Sequence, residues 1–273
     1  MIFGFILIAR LKNMLCIFNK LDKRRDIMAS DKDAYGHLIW NSFKGLTSFS
    51  VVERDDGYVN VDNGTRLYLA GYNDWEAHEK EAIKYAKGRA LDIGCGGGRV
   101  SLYLQERGQE VTGIDTSPLA VRVCRLNGVK DARMMALEDI GKFKPDSFDS
   151  VVMFGHNFGL LCSKSMAKRL LNAMRRITAE NAVIIAESRD PYITDNPVHF
   201  EYHKRNRDRG RMPGQLRLRV RFMQYSTDWH DYLYVSKSEM KDLLKGTGWE
   251  VKKFIDSDKY KENGLYIAVM KKM

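Results

Sequence analysis

Residues 90–100, Ala-Leu-Asp-Ile-Gly-Cys-Gly-Gly-Gly-Arg-Val, carry the strongest chemical signal in the chain. An apolar lead-in breaks at Gly94, Gly96, Gly97 and Gly98, and helical spacing resumes at Val100, Leu102, Tyr103 and Leu104. Glycines let the backbone turn tightly and let a ligand lie against it with no Cβ in the way. The first N–H groups of the following helix then face that ligand. A second apolar run, residues 110–115, ends on Asp115, 21 residues after Gly94. A nucleotide-binding βαβ unit places its ribose-binding acid at that distance. A dinucleotide fingerprint, however, needs a third glycine where Arg99 stands and does not call for an acid at Asp92.

A second chemical signal is charge. Residues 189–221 hold nine bases, Arg189, Lys204, Arg205, Arg207, Arg209, Arg211, Arg217, Arg219 and Arg221, against four acids. Such a wall suits a small anion held by bidentate arginine contacts. It also suits RNA, with Tyr202, Tyr225, Trp229 and Tyr232 as stacking platforms. The bland reading is the solvated face of a hairpin. His199 and His203 share one helix face as a metal pair would, but Glu201 falls off that face and no third ligand is evident, so no metal is expected. Arg189, His199, His203, Arg219 and Trp229 are the candidate substrate-binding residues.

The elements that must position these groups follow from pattern. Residues 33–48 and 75–85 read as helices, with a small hairpin or lid in 50–72. Strands fall at 89–93, 110–115, 131–136, 148–154 and 182–187. Ser117-Pro118 caps a helix to Leu126, and a helix spans 164–177. Asn196-Pro197 starts a helix that Gly210 stops. Alternation of Leu216, Leu218, Val220 and Phe222 with arginines makes a strand with one basic face, and residues 232–235 suit its partner. Ser236-x-x-Glu239 is a capping box, and strands 249–255 and 265–270 close the chain. Strands alternating with helices imply a doubly wound α/β sheet, with the basic segment above its carboxyl ends, where ligands bind.

The pattern Asp92-x-Gly94-x-Gly96-x-Gly98 with Asp115 resembles the first motif and acidic loop of the class I S-adenosylmethionine-dependent methyltransferases. The resemblance covers residues 68–190, and 236–273 by order of elements. It implies a Rossmann-like seven-stranded sheet, with a basic helix-hairpin inserted after the fifth strand. The implied cofactor is S-adenosyl-L-methionine, held by Asp92, Gly94, Gly96, Asp115, Thr116, Leu137, Glu138 and Phe154, with Tyr68 closing over its methionine part. Asp115 would accept both ribose hydroxyls. The family often places an acid where Ala136 stands, so Leu137 is expected to serve through its backbone. The loop after the fourth strand, residues 154–160, faces the transferable methyl in this family. His156 is the candidate base or acceptor-orienting group and Asn157 its hydrogen-bonding partner, unless both merely shape the loop. The Asn/Asp-Pro-Pro-aromatic motif of base-amino methyltransferases is missing. The expected reaction is in-line methyl transfer to O or N of a small, anionic acceptor. The alternatives are RNA methylation and a non-catalytic cofactor-binding subunit.

At 273 residues with a net charge of +10, the chain suits one large domain, here 28–273 with a lid at 28–75 and a pocket-forming segment at 189–235. Four scattered cysteines argue against a disulfide framework and for a reducing cytoplasm. Residues 1–27 pair apolar patches with six bases. Their apolar runs fall short of the ~20 residues needed to span a bilayer, so no stable membrane insertion is expected. They read as an extension before a start at Met28, or as an amphipathic segment on an anionic membrane surface.

Overall fold

The structure is a computed structural model describing residues 30–46, 49–62 and 68–273. The expectations for residues 1–27 lie outside the described residues. Strands β3 (Ala90–Ile93), β4 (Val111–Asp115), β5 (Asp131–Met134), β6 (Phe148–Met153), β7 (Thr178–Arg189), β11 (Trp249–Asp256) and β12 (Leu265–Lys272) form one sheet in the order β11-β12-β7-β6-β3-β4-β5. The β3–β7 strands run parallel, and β12 is antiparallel to both β7 and β11. The order reverses between β3 and β6, so the carboxyl ends of these two strands flank the crevice where open α/β sheets take ligands.

Local sequence explains the helices that cover the sheet. Helix α3 (Arg99–Glu106) follows the glycine turn. Helix α4 (Pro118–Leu126) starts where the Ser117 hydroxyl accepts from the Ala120 amide at 2.9 Å, with Pro118 at its first position. Helix α5 (Lys164–Ile177) is capped by Ser163, and α7 (Lys237–Leu244) by the reciprocal Ser236–Glu239 box. Burial on both faces makes β6, β7 and β12 nearly continuous apolar runs. Trp249 is buried among them, and its indole N–H donates to Leu171 O at 3.0 Å. Among the described residues the expected strands and main helices are found, and short 3₁₀ turns over Leu137–Lys142 and Asn157–Leu161 and a short helix over Tyr260–Asn263 add to them. The main difference is β7, which is longer than expected. It pairs with β6 on one side and with β12 on the other as far as Arg189, opposite Leu265, and that ladder carries the strand beyond its apolar core.

A second, antiparallel sheet has the order β10-β8-β1-β2, built from β1 (Ser50–Arg54), β2 (Val59–Asp62), β8 (Gln215–Phe222) and β10 (His230–Leu233), with β9 (Tyr225–Ser226) on β8. The sequence suggests two separate accessories, a lid hairpin near the N-terminus and a basic helix-hairpin after β7. The structure merges them, because β1 pairs with β8. Arg54 rivets the join. It is buried, forms two hydrogen bonds to Asp56 at 2.8 and 2.7 Å, and lies between the rings of Tyr58 and Tyr202. Tyr202 belongs to helix α6 (Pro197–Asp208), which Asn196 caps and Gly210 ends.

Candidate cofactor and acceptor site

The glycine turn is held from three sides. From below, the buried Asp92 carboxylate accepts from Ser101 Oγ at 2.7 Å, and burial pushes the carboxyl up to about 6 against that bond. From the acceptor side, Asn157 Nδ2 donates to Ile93 O at 2.9 Å and to Gly94 O at 3.2 Å. From above, the Tyr68 ring lies against Gly96, and a Cβ at Gly97 would meet Leu69 Cδ2 at 2.3 Å and Tyr68 O at 2.8 Å. Gly94 has φ +68°, and its missing Cβ is the space filled by the Asn157 amide, 2.4 Å from where it would sit. Gly94→Ala is therefore expected to weaken S-adenosylhomocysteine binding about tenfold. The left-handed conformation alone costs about 1–2 kcal/mol with a Cβ, and calorimetric titration reads the loss. Unchanged affinity would show that the turn does not touch the ligand.

Asp115 ends β4 beside this turn. Its carboxylate accepts from Gly96 N at 3.0 Å and from Ser117 N at 2.9 Å. Burial raises its pKa, the two amides pull it back, and Asp33 pushes it up. Four lone-pair sites minus two amides leave room for two ribose hydroxyls. Asp33 is a residue that sequence reasoning missed. It caps helix α1 (Ala34–Phe43) and accepts from Ser117 Oγ at 2.9 Å, so α1 is locked onto α4 beside the acid. Its only sequence signal is its place as a helix cap. Thr116 is exposed next to Asp115. Leu137 starts a short 3₁₀ turn after β5 with its side chain in the core, and Glu138 is exposed beside it. The Phe154 ring is buried against Trp75, so it reaches a ligand only through its backbone.

On the other side of the turn, His156 sits at the mouth of the β6 loop with φ +64°. Its N–H donates to Glu187 Oε2 at 3.0 Å, and its carbonyl accepts from Tyr232 OH at 2.6 Å. The imidazole meets Tyr234 edge to face at 6.3 Å between ring centres and makes no hydrogen bond among the described residues. Burial lowers its pKa, Glu187 raises it and Arg189 lowers it, leaving the neutral ring favoured. Arg189 approaches the Tyr234 ring and has a buried Nε without a partner, and it forms no ion pair among the described residues.

Much of the rest of the basic wall is ion-paired. Arg219 and Arg221 both bond Glu53, while Arg211 and Arg217 approach Asp231. These are cross-strand pairs: Glu53 lies opposite Arg219, and Asp231 opposite Arg217. The Trp229 ring lies under Arg219, 4.7 Å from its guanidinium carbon. Tyr202 is buried with its hydroxyl on Asp55. His199 bonds Thr194 Oγ1 at 2.8 Å and meets Tyr58 edge-on. His203 is buried against Tyr192, and burial drops its pKa to about 4. No cluster of three metal-ligating side chains occurs among the described residues. A hollow of about 530 Å³ lined by Arg89, Lys130, Asp131 and Arg133 opens at the opposite, amino end of the strands, where Asp149 and Asp131 already pair the two arginines.

Comparison with known proteins agrees with this geometry. Residues 91–186 match the family described as methyltransferase domain. A 74-residue stretch is 39% identical to a ubiquinone biosynthesis O-methyltransferase of Xanthomonas euvesicatoria, and a 68-residue stretch is 41% identical to one of Xylella fastidiosa. These matches cover 25% and 23% of the chain, and the chain spans only 31% and 28% of those relatives. In fold, the chain resembles a SAM-dependent methyltransferase from Bacteroides fragilis solved with S-adenosyl-L-homocysteine, with TM-score 0.74, 23% identity, and coverage of 90% of this chain and 97% of that one. A methyltransferase from Methanosarcina mazei aligns with TM-score 0.55 at 18% identity, over 70% of this chain and 95% of that one. Sheet order, glycine turn, terminal acid and matched segment converge: residues 91–186 match the methyltransferase-domain family, and the chain has the fold of S-adenosylmethionine-dependent methyltransferases.

Proposed function

We propose that the protein transfers a methyl group from S-adenosylmethionine to an oxygen of a small, anionic acceptor. The carrying observation is the arrangement around one glycine turn, with Asp115 on one side and His156, in a left-handed conformation, on the other. In this reading Asp115, Gly94, Gly96, Thr116, Leu137 and Glu138 hold the nucleoside, and Tyr68 covers the amino-acid part. The bound cofactor supplies an electrophilic methyl whose departing sulfur keeps the S–C electron pair. The protein gains rate by aligning the acceptor in line and excluding water. Neutral His156 takes the acceptor O–H proton as the new O–C bond forms, so the positive charge lost from sulfur reappears on the ring. Arg189, whose buried Nε has no hydrogen-bond partner among the described residues, holds the acceptor's anionic group.

The printed name of the Xanthomonas and Xylella relatives supports oxygen as the atom methylated. The cross-strand pairing of Arg217, Arg219 and Arg221 favours a small molecule over RNA, since a phosphate-tracking surface needs unpaired bases. A cytoplasmic setting belongs to the same reading and rests on the free thiols of Cys95, Cys124 and Cys162. Among the described residues no helix is long and apolar enough to cross a membrane. The test uses protein saturated with S-adenosylhomocysteine, into which hydroxylated carboxylic acids and their uncharged amides are titrated. An acid is expected to bind at least about tenfold tighter than its amide, and Arg189→Gln to abolish the difference, since a charged hydrogen bond contributes about 1.5–3 kcal/mol. Equal binding of acid and amide would refute the role of Arg189.

A further inference from the structure

The His156 backbone is held in a conformation that a side chain disfavours, and what holds it is a buried charged group outside the nucleotide site. A non-glycine residue at φ +64° costs about 1–2 kcal/mol and persists only where its surroundings impose it. Here Glu187 takes the N–H and Tyr232 the carbonyl. Glu187 is 4% exposed, and its second oxygen lies 3.2 Å from Nε2 of His78, itself 3% exposed. His78 belongs to helix α2 (Ala77–Ala82), and its Nδ1 is 3.3 Å from Glu76 without hydrogen-bond geometry. The next residue, Glu79, pairs with Arg99 at the head of α3. One short helix thus reaches Glu187, which holds the His156 loop, and Arg99 at the end of the glycine turn through consecutive side chains.

We propose that Glu187 and His78 are positioning residues for His156: the Glu187 carboxylate fixes the loop that carries the ring and compensates the charge the ring gains on taking a proton, while His78 neutralises Glu187 between turnovers. A buried carboxylate without a partner is costly, and an imidazolium beside it offsets that cost. The directions of titration agree. Burial works to lower His78, yet the Glu187 hydrogen bond and charge overcome it, with Glu76 and Glu79 adding to the rise. Burial works to raise Glu187, and His156 and His78 hold it below the usual carboxylate range. His156 faces Glu187, Arg189, Asp62 and Glu79, and of its two acids on the main sheet and α2 Glu187 exerts the larger pull.

The inference rests on the methyl-transfer reading for the purpose of the proton, but its test needs no acceptor. Histidine ring resonances are titrated by NMR, with and without saturating S-adenosylhomocysteine, and assigned with His156→Asn. Glu187→Gln keeps an acceptor for the His156 N–H and a donor for neutral His78, and removes only the charge. The His156 midpoint is then expected to fall by about one pH unit, with S-adenosylhomocysteine affinity kept within about threefold. In His78→Gln the His156 midpoint is expected to move the other way, upward, because Glu187 loses its positive neighbour. If Glu187→Gln does not fold, the sign of that second shift decides alone. A His156 midpoint that moves in neither variant overturns the proposal. Failure of the wild type to bind S-adenosylhomocysteine would refute the methyltransferase reading instead, and the ring titration of unliganded protein would still judge the Glu187 linkage.

Discussion

Replacing Asp115 with alanine is expected to weaken S-adenosylhomocysteine binding by at least about 100-fold, the largest effect of any single change at the site. Two hydroxyl hydrogen bonds to a charged acceptor contribute about 1.5–3 kcal/mol each, so losing both exceeds two decades of affinity. The side chain also fastens Gly96 N and Ser117 N, so its removal loosens the turn as well as the ribose contact. Asp115→Asn keeps one acceptor oxygen but sets its amide nitrogen against one of the two N–H donors, so it is expected to fall between the wild type and Asp115→Ala. Titration calorimetry with S-adenosylmethionine and S-adenosylhomocysteine, with NAD as control, reads all three proteins. Binding of the sulfur compounds unchanged in Asp115→Ala would remove the acid from the cofactor site. Binding of NAD alone by the wild type would overturn the cofactor assignment altogether.

The second large effect is expected at His156, and it falls on turnover rather than binding. Positioned proton transfer contributes typically about 10²–10⁴-fold to rate, and the ring lies in the β6 loop, across the glycine turn from Asp115. His156→Asn is the informative substitution, because asparagine tolerates the left-handed backbone better than alanine does. The variant is expected to form S-adenosylhomocysteine at least about 100-fold more slowly from any acceptor the wild type methylates, with cofactor affinity unchanged. Since burial holds the ring below its ordinary pKa, the wild-type rate should fall only on the acid side of neutrality, and that acidic limb should vanish in the variant. A turnover number within twofold of wild type would leave His156 as a residue that shapes the loop.

Much of the α/β sheet was legible because its signals are local. Glycine spacing, the Ser117-Pro118 and Asn196-Pro197 starts and the Ser236–Glu239 box each act within one turn of chain. Strands buried on both faces are apolar runs whatever their partners. The acidic end of β4 was legible for the same reason, since crossover length sets its distance from Gly94. Asp33, His78, Glu187 and Tyr232 were not. Asp33 is a helix cap, His78 lies in a short helix, and Glu187 and Tyr232 lie near strand ends, and each meets its partner across a long stretch of chain. The basic stripe of β8 left its role open, because alternation reveals which face carries charge but not what stands opposite it.

By itself the sequence determined the glycine turn, the acid beside it, the order of strands and helices, and hence a doubly wound α/β domain. These depend on backbone conformations and side-chain periodicities that a short segment imposes on itself. Only the tertiary structure decided that the N-terminal hairpin and the segment after β7 form one sheet, that Glu53 and Asp231 pair Arg217, Arg219 and Arg221 of that sheet, and that Arg189 forms no ion pair among the described residues. Cross-strand pairing and burial belong to pairs of distant residues, and no segment read alone contains its partner.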